Sequence, residues 1–311
     1  MRLMVFLGAV ILIVLAPFFG QIPLVLENLL DASSIDYKLF WDIRLPRLLV
    51  AFFAGAILSL GGLIFQSLFK NPMSTPYTLG VASGSTLGVA FAIVFQFTAW
   101  VSFFGFLGAL LTVVILFVLT LRLKAYESNA LLLVGIALAF FYNASLMILF
   151  YISDESQSFE IIRFTMGSVD VVGLERTLPI ILASIGLLLL VVWYQKELKL
   201  LLTSNDYAYL KGVEVKRVNT ILLVAVSLAV GIGVSITGPI GFVGLIVPHI
   251  IQNIYKKSAE QLIFPIFFYG GFFLVLSDLI ARNLGSSSDI PIGIITAFLG
   301  GPFFIYLIMK R

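Results

Sequence analysis

The chain has 311 residues, of which 60% are hydrophobic and only 11% charged, against about 25% charged in a soluble domain. No soluble core could hide that much apolar surface, so the chain reads as an all-α polytopic membrane protein, a single transmembrane domain over residues 1–311. The net charge of +3 sits in short loops between apolar runs, a membrane-topology pattern and no nucleic-acid footprint, while one His and no Cys exclude disulfides and argue against a metal centre built by this chain alone.

A span needs roughly 20 apolar residues, and about ten segments qualify. Leu3–Leu26 is the first, too long for a signal-peptide core and without a small-x-small cleavage site; Pro17 predicts a kink in it. A polar, acidic segment at about 27–44 follows. Leu48–Phe69 is the second span, closed by the break KNPMSTP at 70–76. Leu79–Phe97 is the third. Its Gly80, Gly84 and Gly88 recur every four residues, a face that lets another helix approach closely. Trp100–Leu121 and Ala130–Ile152 are the fourth and fifth. A second acidic segment, about 153–176, predicts a short interfacial helix near Phe159–Met166. Thr177–Tyr194 is the sixth span. Then comes the longest charged run in the chain, about 196–218, with Lys196, Lys199, Lys211, Lys216 and Arg217 against Glu197, Asp206 and Glu214. Val218–Ile236 is the seventh span. Gly238–Ile251 is short and broken by Gly and Pro, which is tolerated where backbone faces protein or a cavity. Leu262–Ala281 and Ile292–Met309 complete the set.

Ten spans place both termini on one side. Putting the termini in the cytosol leaves thirteen Lys and Arg inside and six outside, which the positive-inside rule favours. Arg44, Arg47 and Arg282 are then basic residues at span ends on the wrong side. Spans two to five and seven to ten each begin after a polar loop and carry an early Gly/Pro break, the pattern of an inverted repeat.

Three stretches together carry a resemblance: RLPRLLVAFFAGAILSLGGLIFQSLFKNPMSTPYTLGVASGSTLG (44–88), GPIGFVGLIVPHI (238–250) and SDLIARNLGSSSDIPIGIITAFLGGPFF (277–304). In order and spacing they resemble the membrane permeases of type II ABC importers, the iron-siderophore, haem and cobalamin uptake family. The likeness implies ten helices, a homo- or heterodimer with a central path in the bacterial inner membrane, a periplasmic or lipoprotein substrate-binding protein outside, and two ATPase subunits inside that hold ATP and Mg. The chain itself contains no G-x-x-x-x-G-K-[ST] phosphate loop, so it is read as no enzyme, with no cofactor of its own.

The resemblance also distributes roles. Arg44, Arg47 and Arg282 match positions that dock the binding protein, where guanidinium groups pair bidentately with carboxylates. Taken singly, each is an ordinary span end whose side chain reaches the headgroups. Asp278, one turn before Arg282, is placed for a local ion pair. The charged run resembles the coupling segment, with 206–216 as two short helices joined at Gly212 and with Tyr207, Leu210 and Val213 as apolar anchors in an ATPase groove. A solvated loop explains its lysines but not its apolar spacing. Asn71, Met73, Ser128 and Asn129 match the cytosolic gate, although Asn-Pro and Ser-Asn also favour turns unaided. Gly238, Pro239, Gly241, Gly244 and Pro248 are architectural, like Gly80, Gly84 and Gly88, and His249 has no partner residue type for a metal.

The leading expectation is therefore an ABC importer permease for a metal chelate, a ferric siderophore first. The alternative is an ion-coupled secondary transporter, which needs ionisable residues at the midplane. The spans are almost free of them away from their ends. A membrane enzyme lacks any cluster to do chemistry.

Overall fold

Within a bilayer no water bonds the backbone, so the chain must satisfy its N–H and C=O groups internally. A computed structural model, which describes residues 2–20, 22–122, 128–255, 259–284 and 289–309, shows that it does so by helix alone; no strand occurs among the described residues. In chain order the helices are α1 (Arg2–Leu15), α2 (Ile35–Lys38), α3 (Leu45–Phe69), α4 (Val81–Val94), α5 (Val101–Arg122), α6 (Ser128–Ile152), α7 (Glu155–Thr165), α8 (Leu178–Trp193), α9 (Gln195–Thr203), α10 (Asn205–Leu210), α11 (Val215–Thr237), α12 (Val243–Tyr255), α13 (Ile263–Leu284) and α14 (Ile292–Met309). Six segments, built on α3, α5, α6, α8, α11 and α13, are long and apolar enough to cross a membrane. Four shorter apolar helices, α1, α4, α12 and α14, lie in the remaining segments expected as spans. With 14 residues, α4 reaches only about 21 Å at 1.5 Å per residue, short of the ~30 Å hydrocarbon thickness.

One expectation needs correcting here. The first span does not run as a kinked helix to Leu26: α1 ends at Leu15 and one 3₁₀ turn, Ala16–Phe18, closes it. Pro17 lacks the N–H that would continue the ladder. The polar segment 27–44 carries helix of its own. From Ile35 the chain is already helical, through α2 and a wide π-helical stretch at Leu39–Arg44, and it runs into α3 without a break. The second polar segment does hold a short helix, α7, closed at its start by a capping box between Asp154 and Gln157.

The core is organised on α3, which is apolar all round and buried on nearly every face from Val50 to Phe69, as a fully enclosed helix must be. Around it pack α8, α11, α12 and α13. Small residues set these distances. A Cβ on Gly55 would run into the Gly270 carbonyl of α13, and one on Gly62 into the Gly244 carbonyl of α12. Gly84 and Gly88 of α4 face Gly108 and Phe104 of α5, and Gly80, at the start of α4, abuts Gly135 of α6. Without a hydrophobic drive between helices in lipid, such backbone-to-backbone approach is what holds spans together.

The packing also maps onto itself. The helices α3, α4, α5 and α6 have 25, 14, 22 and 25 residues; α11, α12, α13 and α14 have 23, 13, 22 and 18. Exchanging the two sets turns the α3–α13 contact into α11–α5, and α3–α12 into α11–α4. The contacts α4–α5 and α12–α13 interchange likewise, and both α3 and α11 pack on α8.

Candidate functional site

The break at Pro17 leaves carbonyl oxygens without helical partners in apolar surroundings. Two of the three arginines meet that need. The Arg44 Nη1 donates to the carbonyls of Pro17 and Phe18 at 3.0 and 3.3 Å, and its Nη2 donates to the Ile22 carbonyl. The Arg282 Nη2 donates to the Ala16 carbonyl at 2.9 Å. Both side chains are buried. A guanidinium suits the task, because its planar fork presents five donors to several acceptors at once. Sequence reasoning missed this role. The available signal was Pro17 inside the first span, which announces orphaned carbonyls, together with arginines at the ends of later spans.

Arg47, in the first turn of α3, does something different. Its Nε donates to Asp278 Oδ1 at 2.9 Å and its Nη2 lies 2.8 Å from the same oxygen. Its Nη1 sits 2.6 Å from Asp170 and 2.5 Å from Asp289. One side chain thus ties α3 to α13, to the segment after α7 and to the segment before α14. Asp278 is only 3% exposed at its side chain, whereas Asp170 and Asp289 are 39% and 34% exposed. The local pair expected between Asp278 and Arg282 exists at 3.7 Å, but the nearer partner of Asp278 is Arg47 on another helix. A cavity of about 460 Å³ opens beside this cluster, lined by Arg47, the three aspartates, Phe159 and Met166 among others.

All three arginines expected at a docking surface are therefore engaged inside the chain in this conformation. A carboxylate arriving from solvent reaches Arg47 Nη1 only by displacing Asp170 or Asp289.

The charged run forms an elbow at the other end of α11. Helix α11 ends at Thr237, whose carbonyl accepts from Ser168 N at 2.7 Å beside the arginine cluster. The helix begins at Val215 and has 23 residues, about 34 Å along the axis. The two short helices there are α9 and α10, joined at Ser204, whose hydroxyl caps α10 by accepting from Tyr207 N. Gly212, at φ +83, joins α10 to the long α11 and not one short helix to another, which corrects the expected arrangement. A left-handed residue suits a helix-to-helix turn, and glycine takes that conformation without a Cβ clash. Of the three expected anchors, Leu210 is 81% exposed and Tyr207 is exposed as well, but Val213 is only 9% exposed and packs into the core. The Val213 N donates to the Ala208 carbonyl at 3.0 Å, which turns its side chain inward. Tyr209, exposed beside Leu210, completes the apolar tip in its place, and Lys211 Nζ lies 5.7 Å from the Tyr207 ring centre.

The break after α3 is an Asx turn: Asn71 Oδ1 accepts from Met73 N at 3.0 Å, the local bonding that Asn offers a turn. The exposed Met73 side chain lines a cavity of about 360 Å³ together with Tyr77, Phe242 and Phe304, so the breaks after α3 and after α11 meet across one space. Gly238 starts the second break at φ +67, and a Cβ there would run into the Phe164 carbonyl of α7. The next residue, Pro239, presents its carbonyl to Gly167, while Gly241 has open space around it. Pro248 is buried inside α12. Ser128 and Asn129 begin α6, but their side chains lie outside the described residues.

The FecCD transport family profile matches residues 8–310 of the chain. The hemin transport system permease protein HmuU of Yersinia pestis is 32% identical over 325 aligned positions, covering 100% of this chain and 96% of the relative. The vitamin B12 import system permease protein BtuC of Vibrio cholerae is 34% identical over 284 positions, covering 90% and 85%. Among solved structures, an inward-facing conformation of a metal-chelate type ABC transporter superposes with a TM-score of 0.88 at 28% identity, covering 99% of both chains. PsaBC from Streptococcus pneumoniae, solved in complex with a Fab, shares the fold at a TM-score of 0.59 and 16% identity.

Proposed function

The chain belongs to the FecCD transport family and is a multi-pass permease subunit of an ABC importer, and on that premise we propose that it carries a metal chelate, a ferric siderophore first, into the cytosol. Its relatives named for hemin and vitamin B12 make those the competing solutes. The cavity between the two breaks offers Met73, Tyr77, Phe242 and Phe304, soft and aromatic surface with no His, Cys, Asp or Glu among its described lining residues. That suits a metal that arrives already caged.

The observation that carries the coupling mechanism is the elbow. An apolar tip of Tyr207, Tyr209 and Leu210 stands in solvent on two short helices fused through Gly212 to α11, and α11 runs to the arginine cluster. Two ATPase subunits, holding ATP and Mg, receive that tip in a groove; exposed aromatic and aliphatic anchors of this kind dominate interface energies. Movement of the tip is transmitted along α11 as a rigid rod. The arginine end faces the substrate-binding protein, and a second permease subunit completes the path. The cytosolic gate comprises Asn71, Met73, Ser128 and Asn129. The ion-coupled alternative has little to work with: among the described residues the buried charged side chains are Arg44, Asp278 and Arg282, and Asp278 is bound between Arg47 and Arg282.

The test is uptake into proteoliposomes holding this permease, its ATPase and its binding protein, with radiolabelled ferric siderophore, haemin and cobalamin offered separately. ATP-dependent uptake of the siderophore, lost in Leu210→Asp, is the expected result. Uptake that follows an imposed proton or sodium gradient without ATP would overturn it, and uptake of haemin or cobalamin alone would reassign the solute.

A further inference from the structure

Arg47 holds its three carboxylates in two unequal ways. Asp278 binds Nε and Nη2 from the buried side, at 2.9 and 2.8 Å. Asp170 and Asp289 both crowd the single nitrogen Nη1, at 2.6 and 2.5 Å, and line the cavity together with Asp278. Their oxygens are thus within about 5 Å of one another, where like charges repel appreciably. They are also the exposed members of the group, so water stands ready to solvate either one on release. Asp170 has a further local tie, accepting from Ser168 Oγ at 2.8 Å, whereas Asp289 has Arg47.

We propose that Asp170 and Asp289 are internal stand-ins for an acidic docking partner, occupying Arg47 until a carboxylate from the substrate-binding protein displaces them. The inference rests on the docking role proposed above and adds what that role requires of this chain. The exchange conserves the charge-assisted bonds of Arg47, because one carboxylate replaces another. It is not neutral in structure. Asp170 fixes the segment after α7 to α3, and Asp289 fixes the segment before α14 to α3. Their release removes one tie from each of two segments that line the 460 Å³ cavity, so docking and loosening of that mouth become one event. Arg44 and Arg282 stay on the carbonyls after α1 and take no part in the exchange. The partner chemistry follows: one or two Asp or Glu side chains on a rigid surface, presented to the cavity side of Arg47.

The experiment measures affinity of the complete transporter, in nanodiscs, for the binding protein that stimulates its ATPase. Five forms are compared: wild type, Asp289→Asn, Asp170→Asn with Asp289→Asn, Arg47→Gln, and all three substitutions together. Removing the internal competitors is expected to tighten binding about tenfold, and Arg47→Gln to weaken it by a similar factor. On the Arg47→Gln background the two Asn substitutions should then change nothing, because residues acting through one partner are not additive. Asp289→Asn alone, which leaves Arg47 two carboxylates, should tighten binding by a smaller factor and guards against misfolding of the double variant. Unchanged or weaker binding by the Asn variants, with Arg47→Gln still impaired, overturns the exchange and spares the docking role. Wild-type affinity in Arg47→Gln removes Arg47 from docking, and the exchange with it.

Discussion

Asp278→Ala removes the most buried carboxylate of the cluster. Its side chain is 3% exposed and holds Arg47 through Nε and Nη2, with Arg282 Nε at 3.7 Å. Deleting one partner of a buried pair strands the other charge, at a typical cost of about 3–5 kcal/mol. Arg47 keeps Asp170 and Asp289, and Arg282 keeps the Ala16 carbonyl, so the low end, about 3 kcal/mol, is expected. Asp289→Ala deletes a bond of similar length at a partly exposed site, where such pairs contribute about 0–1 kcal/mol. Asp278→Asn preserves the shape and one acceptor oxygen and should fall between the two. Reversible unfolding of the purified permease in mixed micelles gives all three values on one scale. If Asp278→Ala costs no more than Asp289→Ala, burial does not set the strength of this cluster and the reasoning fails.

Other substitutions probe separate links. Gly62→Leu should prevent folding, read as loss of monodisperse protein on size exclusion, because its Cβ meets the backbone carbonyl of Gly244 and no side chain can yield. Gly186→Ala in α8 has open space around it and should be neutral or stabilising by about 0.5 kcal/mol in the same unfolding assay, from helix propensity. Leu210→Asp should leave the melting temperature unchanged and abolish copurification of the ATPase, whereas Val213→Asp, buried in the core, should lower the melting temperature itself. Arg44→Lys should destabilise by about 1–2 kcal/mol in the unfolding assay, since an ammonium cannot span the three carbonyls that the guanidinium reaches. A neutral outcome there would mean that the end of α1 is held by something else.

Hydropathy alone determined that this is an all-helical membrane protein and where its apolar segments lie, because a bilayer leaves an apolar chain few ways to satisfy its backbone. The local signals were equally readable. Asn71 makes the turn its side chain favours, Gly212 takes the left-handed conformation, Asp154 and Gln157 cap α7, and Gly84 and Gly88 lie at a close helix contact. What the sequence could not supply was the identity of partners far apart in the chain. Arg47 and Asp278 are 231 positions apart, and neither periodicity nor propensity registers such a pair. Nor could it say which residue of the turn after a short helix points inward, so Val213 read as an anchor although it packs into the core. The three arginines show the limit most directly. Their charge and position announced an exposed surface, but Pro17 had left carbonyls unbonded nearby, and only the packed structure brings those carbonyls and the aspartates within reach. Burying a guanidinium is costly unless its donors are matched, and that matching is a property of the assembled helices and of no one segment.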